Sequence, residues 1–96
     1  IFIYNCDYGT ISGNNISLNE YGICLDSYCH YNNIAENTAN NNSYGIYLDH
    51  SDYNTISGNN ASYNEYGIYI DYYSDYNNIL DNIINYNDDG IYLFLH

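Results

Sequence analysis

The sequence contains no lysine and no arginine, and proline, methionine and tryptophan are also absent. Twelve acidic residues therefore leave a formal net charge of −12 at pH 7. Nucleic acids and anionic membrane surfaces attract proteins through cationic side chains, so we expect neither as a partner. We also expect no membrane insertion, because no apolar run approaches the roughly 20 residues of a spanning helix. Since the chain starts at Ile1 without a methionine, we expect a processed product or a piece of a longer chain.

Tyrosine, isoleucine and asparagine are abundant in what remains. Low hydrophobicity with a high net charge is typical of disordered chains, but sixteen tyrosines and regularly spaced isoleucines supply apolar area. β-Branched and aromatic residues favour strands, whereas asparagine and glycine favour tight corners. The composition therefore predicts an all-β protein with many short strands.

An isoleucine-led phrase recurs along the chain, as in Ile46-Tyr47-Leu48. The leading residues are Ile1, Ile23, Ile46, Ile68 and Ile91, so the spacing alternates between 22 and 23 residues. A fixed period of this length is the signature of a repeat architecture. We predict one unit over residues 1–96, made of coils 1–22, 23–45, 46–67 and 68–90 and a partial fifth coil, 91–96.

Within each coil, apolar and polar residues alternate over pieces of about three residues. In Ile46-Tyr47-Leu48 the first and third side chains share one face, and the tyrosine takes the other. Corners rich in asparagine, glycine and aspartate separate three such pieces in each coil. This arrangement predicts a three-sided parallel β-helix of about four coils, in which each strand pairs with its equivalent one coil later, about 4.8 Å away.

Stacking the coils aligns identical residues in columns. We expect buried asparagine amides to hydrogen-bond along the axis as a ladder, and this column consists of Asn14, Asn37, Asn59 and Asn82. A second asparagine column consists of Asn19, Asn42, Asn64 and Asn87. A glycine precedes each isoleucine strand, where we expect a corner with positive φ. The glycine column consists of Gly22, Gly45, Gly67 and Gly90.

The segments Thr10-Ile11-Ser12-Gly13-Asn14 and Thr55-Ile56-Ser57-Gly58-Asn59, each followed by a Tyr-Gly-Ile strand, resemble the repeats of NosD-like and archaeal cell-surface β-helix proteins. The resemblance covers essentially the whole chain and implies a right-handed parallel β-helix. It indicates a fold and not an activity, because such proteins include lyases, epimerases, adhesins and envelope proteins. The copper association of NosD-like proteins finds no ligand set here, since His30, His50 and His96 occupy different columns.

Catalysis is not expected. The lyases among the proteins that this chain resembles use an arginine or lysine as the base, and this chain has neither residue. A glycosidase pair could consist of Asp49 and Asp71, stacked beside Asp26. However, the same aspartate recurs in three consecutive coils, which is typical of a lattice position and not of a unique site.

Calcium is the one cofactor that the acidic columns suggest. Asp26, Asp49 and Asp71 would lie one coil apart, and a hard divalent ion with oxygen ligands would relieve their repulsion. A second acidic column consists of Asp7, Asp52 and Asp75. The alternative is that solvent and counter-ions screen exposed carboxylates. The sequence leaves both interpretations open.

The three cysteines allow two kinds of bridge. Cys6 and Cys29 align one coil apart in a corner column, where Cα spacing falls in the lower part of the disulfide range of roughly 4.4–6.8 Å. They form either a disulfide or two buried thiols in place of serine. Cys24 takes the outward position of Tyr47 and Tyr69, so we expect it to be exposed as an intermolecular bridge or a free thiol.

Tyrosines form outward stripes along the axis, which either stack to stiffen the coil or offer a contact surface for protein or sugar. Their columns are Tyr8, Tyr31, Tyr53 and Tyr76, then Tyr21, Tyr44 and Tyr66, and finally Tyr47, Tyr69 and Tyr92.

Neither end carries the polar cap that stacked repeats need. The expected assembly contacts are Ile1, Phe2, Ile3, Ile91, Leu93, Phe94 and Leu95, with Cys24 available for lateral contact. We therefore predict a structural, non-catalytic protein of an extracellular filament, sheath or surface layer, whose copies stack end to end. The alternatives are a carbohydrate-binding adhesin module that uses a tyrosine face to hold surface glycans, and a fragment of a polysaccharide-active enzyme.

Overall fold

The computed structural model describes residues 1–94, all of them in strands, corners and turns. The strands are β1 (Phe2–Tyr4), β2 (Thr10–Ser12), β3 (Asn15–Ile16), β4 (Tyr21–Asp26), β5 (Asn33–Ala35), β6 (Thr38–Ala39), β7 (Tyr44–Leu48), β8 (Thr55–Ser57), β9 (Tyr66–Ile70), β10 (Asn78–Leu80) and β11 (Asp89–Leu93). Over these residues no helix has the length and apolarity that crossing a membrane requires.

Parallel pairing between successive coils builds three faces. The first face is a five-stranded sheet in the order β1-β4-β7-β9-β11, and the second is a four-stranded sheet in the order β10-β8-β5-β2. The third pairs β3 with β6 and continues through isolated bridges from Thr38 to Asn60 and from Asn60 to Ile83. Ile23 pairs with Ile46, which pairs with Ile68. The chain is therefore an all-β parallel solenoid of about four coils, in the register that the isoleucine spacing predicts.

The core is a stack of small branched side chains along the solenoid axis. Ile23, Ile46 and Ile68 have no exposed surface, and alanines fill the narrower third face at Ala39 and Ala61. Burying one isoleucine contributes about 1.5–3 kcal/mol, so the column forms the main apolar support of the middle coils. The equivalent residues of the outer coils are only partly buried; they are Ile3, Ile11, Ile16, Ile79 and Ile84.

The corners turn through left-handed backbone conformations, and most of the residues there are not glycine. Fifteen non-glycine residues have positive φ, and eight of them are tyrosines. Only Gly13 and Gly58 adopt positive φ among the glycines of the described chain. L-residues other than glycine, asparagine and aspartate rarely adopt this conformation.

The glycine column is therefore explained differently from the sequence prediction. Gly22, Gly45 and Gly67 do not have positive φ, and the expectation of left-handed corners at these positions was wrong. A Cβ atom on Gly45 would lie 2.5 Å from the carbonyl oxygen of Gly67, and one on Gly22 would lie 2.6 Å from that of Gly45. These glycines are required because successive coils approach too closely for any side chain.

Candidate functional site

The surface and the corners repeat the same chemistry in each coil, so the candidate site is a lattice and not a pocket. Its first component is the predicted asparagine ladder. The Nδ2 atom of Asn37 donates to Oδ1 of Asn59 over 3.0 Å and also to the carbonyl of Ile11 in the coil before. Asn14 to Asn37 and Asn59 to Asn82 repeat the amide contact at 3.0 Å. The amides of Asn37 and Asn59 therefore each join three coils.

The Oδ1 atoms of Asn37, Asn59 and Asn82 each also accept a backbone N–H. The backbone nitrogen of Asn37 lies 2.9 Å from Oδ1 of Asn59. Asn37 and Asn59 are about 1 % exposed, yet no side-chain nitrogen or oxygen buried in the described structure lacks a partner. The ladder satisfies polar groups that would each cost about 1–3 kcal/mol if buried alone.

Two further ladders hold the other corners. The second asparagine column works through the backbone, with the nitrogen of Asn42 lying 2.8 Å from Oδ1 of Asn64. The third ladder runs through Asn32, Asn54 and Asn77, and the Nδ2 atom of Asn32 donates to Oδ1 of Asn54 over 3.1 Å. The sequence prediction missed this third ladder, although a tyrosine precedes each of its asparagines and could have marked the column.

The corner tyrosine column consists of Tyr8, Tyr31, Tyr53 and Tyr76. Their ring centroids lie 5.1, 5.0 and 4.9 Å apart in succession, with interplanar angles of 5° to 8°. The side chains remain open to solvent, from 45 % exposed at Tyr53 to 78 % at Tyr8. Tyr63 and Tyr86 form a similar pair at 4.9 Å, which the sequence prediction did not identify.

The sheet tyrosines form a second, tighter surface on the five-stranded sheet. Tyr44 stacks on Tyr21 and Tyr66 at 5.0 and 5.1 Å. It also meets Tyr47 and Tyr69 edge-on, so the two predicted columns interlock. These rings are only half-buried, but each is held on several sides. The surface is therefore a packed aromatic layer that covers one sheet.

The hydroxyl of Tyr47 donates to Oδ2 of Asp71 over 2.6 Å. Burial raises the pKa of Tyr47 strongly, and the hydrogen bond to the carboxylate raises it further. The same burial raises the pKa of Tyr69 to about 12. Tyr47 and Tyr69 therefore stay protonated across the whole neutral range.

The three aspartates proposed for calcium do not converge. Asp26 accepts from the Ser27 hydroxyl, and Asp49 lies 2.6 Å from Nδ1 of His50. Asp71 is engaged by Tyr47 and by a backbone nitrogen. Over residues 1–94 no group of three histidine, cysteine or acidic residues is arranged to hold a metal ion. Asp49 and Asp71, the pair considered for glycoside hydrolysis, make separate contacts with His50 and Tyr47.

The other acidic column caps backbone groups of the following coil. Asp7 accepts from the backbone nitrogen of His30 over 2.8 Å, and Asp52 accepts from that of Asp75 over 2.7 Å. His30 stands between them in the same column, and its Nδ1 atom accepts from the backbone nitrogen of Asp52 over 3.0 Å. These side chains therefore act as hydrogen-bond acceptors for the backbone of a neighbouring coil.

The cysteines are all free, and the bridge considered between Cys6 and Cys29 is not formed. Cys6 is exposed, whereas Cys29 is buried with its Sγ atom 3.3 Å from the carbonyl oxygen of Asp26. Cys24 is 2 % exposed, and the expectation of an exposed thiol was wrong. It pairs with Phe2 on one side and Tyr47 on the other, so its short side chain lies between two large aromatic residues. Burial raises the pKa of the Cys24 thiol to about 12.

The predicted assembly residues lie on the two end coils. Ile1, Phe2, Ile91 and Leu93 are 42 %, 61 %, 49 % and 55 % exposed, and Ile3 and Phe94 are half-buried. Leu95 lies outside the described residues, as does His96. A groove of about 260 Å³ opens at the last coil, and its apolar lining consists of Ile70, Ile79, Leu93 and Phe94.

Comparison with known proteins gives one family. The family model described as the right-handed β-helix region matches residues 1–96. No curated protein and no solved structure matches the chain.

Proposed function

The chain belongs to the right-handed β-helix family, and we propose that it is a structural, non-catalytic element of an extracellular filament, sheath or surface layer. Copies associate with one another by stacking their end coils. The observation that carries this proposal is the direction of the asparagine ladders. Each coil donates to the Oδ1 atoms of the coil that follows it, in all three corners.

Directional ladders make the two ends complementary. At the first coil, the Oδ1 atoms of Asn14 and Asn19 accept no hydrogen bond within residues 1–94. At the last coil, the backbone nitrogens of Asn82 and Asn87 donate to no Oδ1 atom within residues 1–94, while their Nδ2 atoms are bound to the carbonyls of Ile56 and Ala61. Acceptors at one end and donors at the other, in one register, favour a head-to-tail contact, and such a contact extends into a filament.

The apolar ends favour the same contact. Phe2 and Leu93 lie on the first and last strands of the same five-stranded sheet, and both are more than half exposed. Stacking one copy on the next would bury them and would pair the open edges of β1 and β11, which otherwise are sites of aggregation. The extracellular location rests on the likeness to NosD-like and archaeal surface repeats, and it agrees with the absence of lysine and arginine.

Negative-stain electron microscopy and fibre diffraction of the purified chain test the proposal. We expect unbranched filaments with an axial spacing of about 4.8 Å. Leu93→Asp places a charge on an end strand, in the column of the buried Leu48 and Ile70, and should abolish the filaments. Leu80→Asp is similarly exposed and also lies on an end strand, but its side chain takes the outward position of Ser57, so the filaments should remain. If the unmodified chain and the Leu80→Asp variant both stay monomeric at high concentration, end-to-end stacking is contradicted.

A carbohydrate-binding adhesin is the second candidate, and the corner tyrosine column supports it. Flat, solvent-exposed rings offer faces on which sugars stack, and Tyr31 and Tyr53 present them side by side. Binding on a glycan array that disappears in Tyr31→Ala, but not in Tyr44→Ala, would favour this function over a purely structural one. An array without binding would remove it.

A further inference from the structure

The corner tyrosine column occupies a left-handed backbone conformation, which is unfavourable for tyrosine. Tyr8, Tyr31, Tyr53 and Tyr76 have φ between 57° and 59°. A left-handed conformation costs an L-residue about 1–2 kcal/mol, and glycine or asparagine would occupy the corner at lower cost. Three stacking contacts of about 0.5–1.5 kcal/mol offset only part of that cost for four residues. Packing alone therefore does not account for tyrosine here.

The phenol groups of this column are also unused. None of the four hydroxyls makes a hydrogen bond to a residue of the described chain, in contrast to the Tyr47 hydroxyl, which is bound to Asp71. The rings are accessible, with Tyr53 the least exposed at 45 %. The four phenol rings therefore lie parallel and face solvent, with neighbouring rings about 5 Å apart.

We propose that the corner tyrosine column is a site of oxidative cross-linking, at which a one-electron oxidant couples tyrosines of successive coils into dityrosine. The link would be a covalent staple that runs parallel to the axis. It forms within one chain, so it does not depend on the filament proposed above.

The chemistry balances with the oxidant as the only co-reactant. Each of two neighbouring tyrosines loses one electron to the oxidant and its phenolic proton to water. The two phenoxyl radicals then form a carbon–carbon bond between ring positions ortho to their oxygens, and the two ring hydrogens at that bond move to the oxygens. Both phenols are restored, and the pair has lost two electrons and two protons in total.

The geometry favours coupling in this column over the other tyrosines. Neighbouring rings are held within about 5 Å by the coil spacing, and exposed side chains change rotamer within nanoseconds, which lets stacked rings turn edge to edge. The sheet tyrosines have the same spacing, but each ring is also held by edge-on neighbours. Their rings cannot turn without breaking that layer. The exposed pair Tyr63–Tyr86 shares the favourable geometry, and we expect it to couple as well.

The test uses the folded full chain at a dilution where size-exclusion chromatography shows a monomer. A photo-excited ruthenium tris-bipyridyl complex with persulfate supplies the one-electron oxidant. We expect dityrosine fluorescence and a mass loss of two hydrogens for each link. Peptides cut by an acid-directed protease should join Tyr8 to Tyr31, Tyr31 to Tyr53, Tyr53 to Tyr76 or Tyr63 to Tyr86.

Phenylalanine variants identify the site without removing the rings. The triple variant Tyr31→Phe, Tyr53→Phe and Tyr63→Phe leaves no two exposed tyrosines adjacent in these columns, and it should lose those cross-linked peptides. The matched variant Tyr44→Phe with Tyr66→Phe should keep them. Circular dichroism checks that both remain folded. The proposal is overturned if no dityrosine forms, if it forms only between chains, or if the triple variant yields as much of it as the matched variant.

Discussion

The columns that run through all the coils are buried in the two middle coils, residues 23–45 and 46–67, and become exposed towards the first and last strands. Ile23 and Ile46 have no exposed surface, whereas Ile1 and Ile91 occupy the same column and are 42 % and 49 % exposed. The same holds for asparagine: Asn37 is buried, and Asn14 is half-buried. In a stack, burial is a property of the neighbours above and below, so identical residues contribute unequally to stability.

Shortening isoleucines of the column should give the largest difference in stability loss between the middle and the end coils. Ile46→Ala removes a fully buried side chain between two others, and we expect it to lower the free energy of unfolding by about 2–5 kcal/mol. Ile91→Ala removes a half-exposed side chain at the edge, and its cost should stay near or below about 1 kcal/mol. Urea denaturation followed by circular dichroism measures both. Equal losses would show that the end coil is covered in solution.

The asparagine ladder should show the same difference on a smaller scale. Asn59→Ala deletes an amide that contacts Asn37, Asn82 and the Ile34 carbonyl, and it leaves buried polar groups without partners. We expect a loss of about 2–4 kcal/mol, because each such group costs about 1–3 kcal/mol. Asn14→Ala, at the partly solvated end, should cost about half as much. Equal denaturation midpoints for Asn59→Ala and Asn14→Ala would mean that water replaces the lost hydrogen bonds at both positions.

The glycine column offers a comparison within one residue type. In Gly45→Ala the new Cβ atom would lie 2.5 Å from the Gly67 carbonyl oxygen and 2.7 Å from Nδ2 of Asn64. We expect a loss of about 1–3 kcal/mol from overpacking. In Gly90→Ala the nearest atom is Cγ2 of Ile84 at 3.6 Å, an ordinary contact, so stability should be nearly unchanged. Thermal unfolding of the two variants decides this, and a destabilised Gly90→Ala would indicate that another coil covers it.

The last comparison appears only at alkaline pH. The pKa of Cys24 is raised to about 12 in the folded chain, above its unfolded value of about 8.5. Its contribution to stability is therefore fully present below pH 8.5 and is lost as pH rises towards 12, since the folded state binds this proton more tightly. Cys24→Ala should flatten the alkaline side of the stability curve relative to that of the unmodified chain. Urea midpoints measured between pH 8 and pH 11 test this, and identical slopes would contradict it.

The register, the core and the first asparagine ladder could be predicted because they follow from residue identity and period. Ile46 is apolar and recurs, so its place was determined once the coil length was known. The role of Gly45 could not be predicted, because a glycine needed for positive φ and a glycine needed for close approach of two coils look the same in a sequence. Cys24 was placed on the correct face, but its burial depends on the size of Phe2 and Tyr47 beside it.

The corner tyrosines show a different limit. Their stacking was one of two predicted alternatives, but the left-handed backbone at Tyr53 was not predicted, because tyrosine has no preference for it. The coil closes only if the chain turns there, and the closure is enforced by the strands on both sides. Tertiary structure therefore overrides local preference at the surface position where the sequence is most regular.

The single direction of the asparagine ladders has a kinetic consequence for any assembly built from this chain. An incoming copy meets amide oxygens at one end of the stack and backbone N–H groups at the other, so the two ends would grow at different rates. A short peptide that copies one coil would bind at either end but would fit each with a different face. Blocking the donor face of such a peptide would turn it into an inhibitor of growth at one end alone.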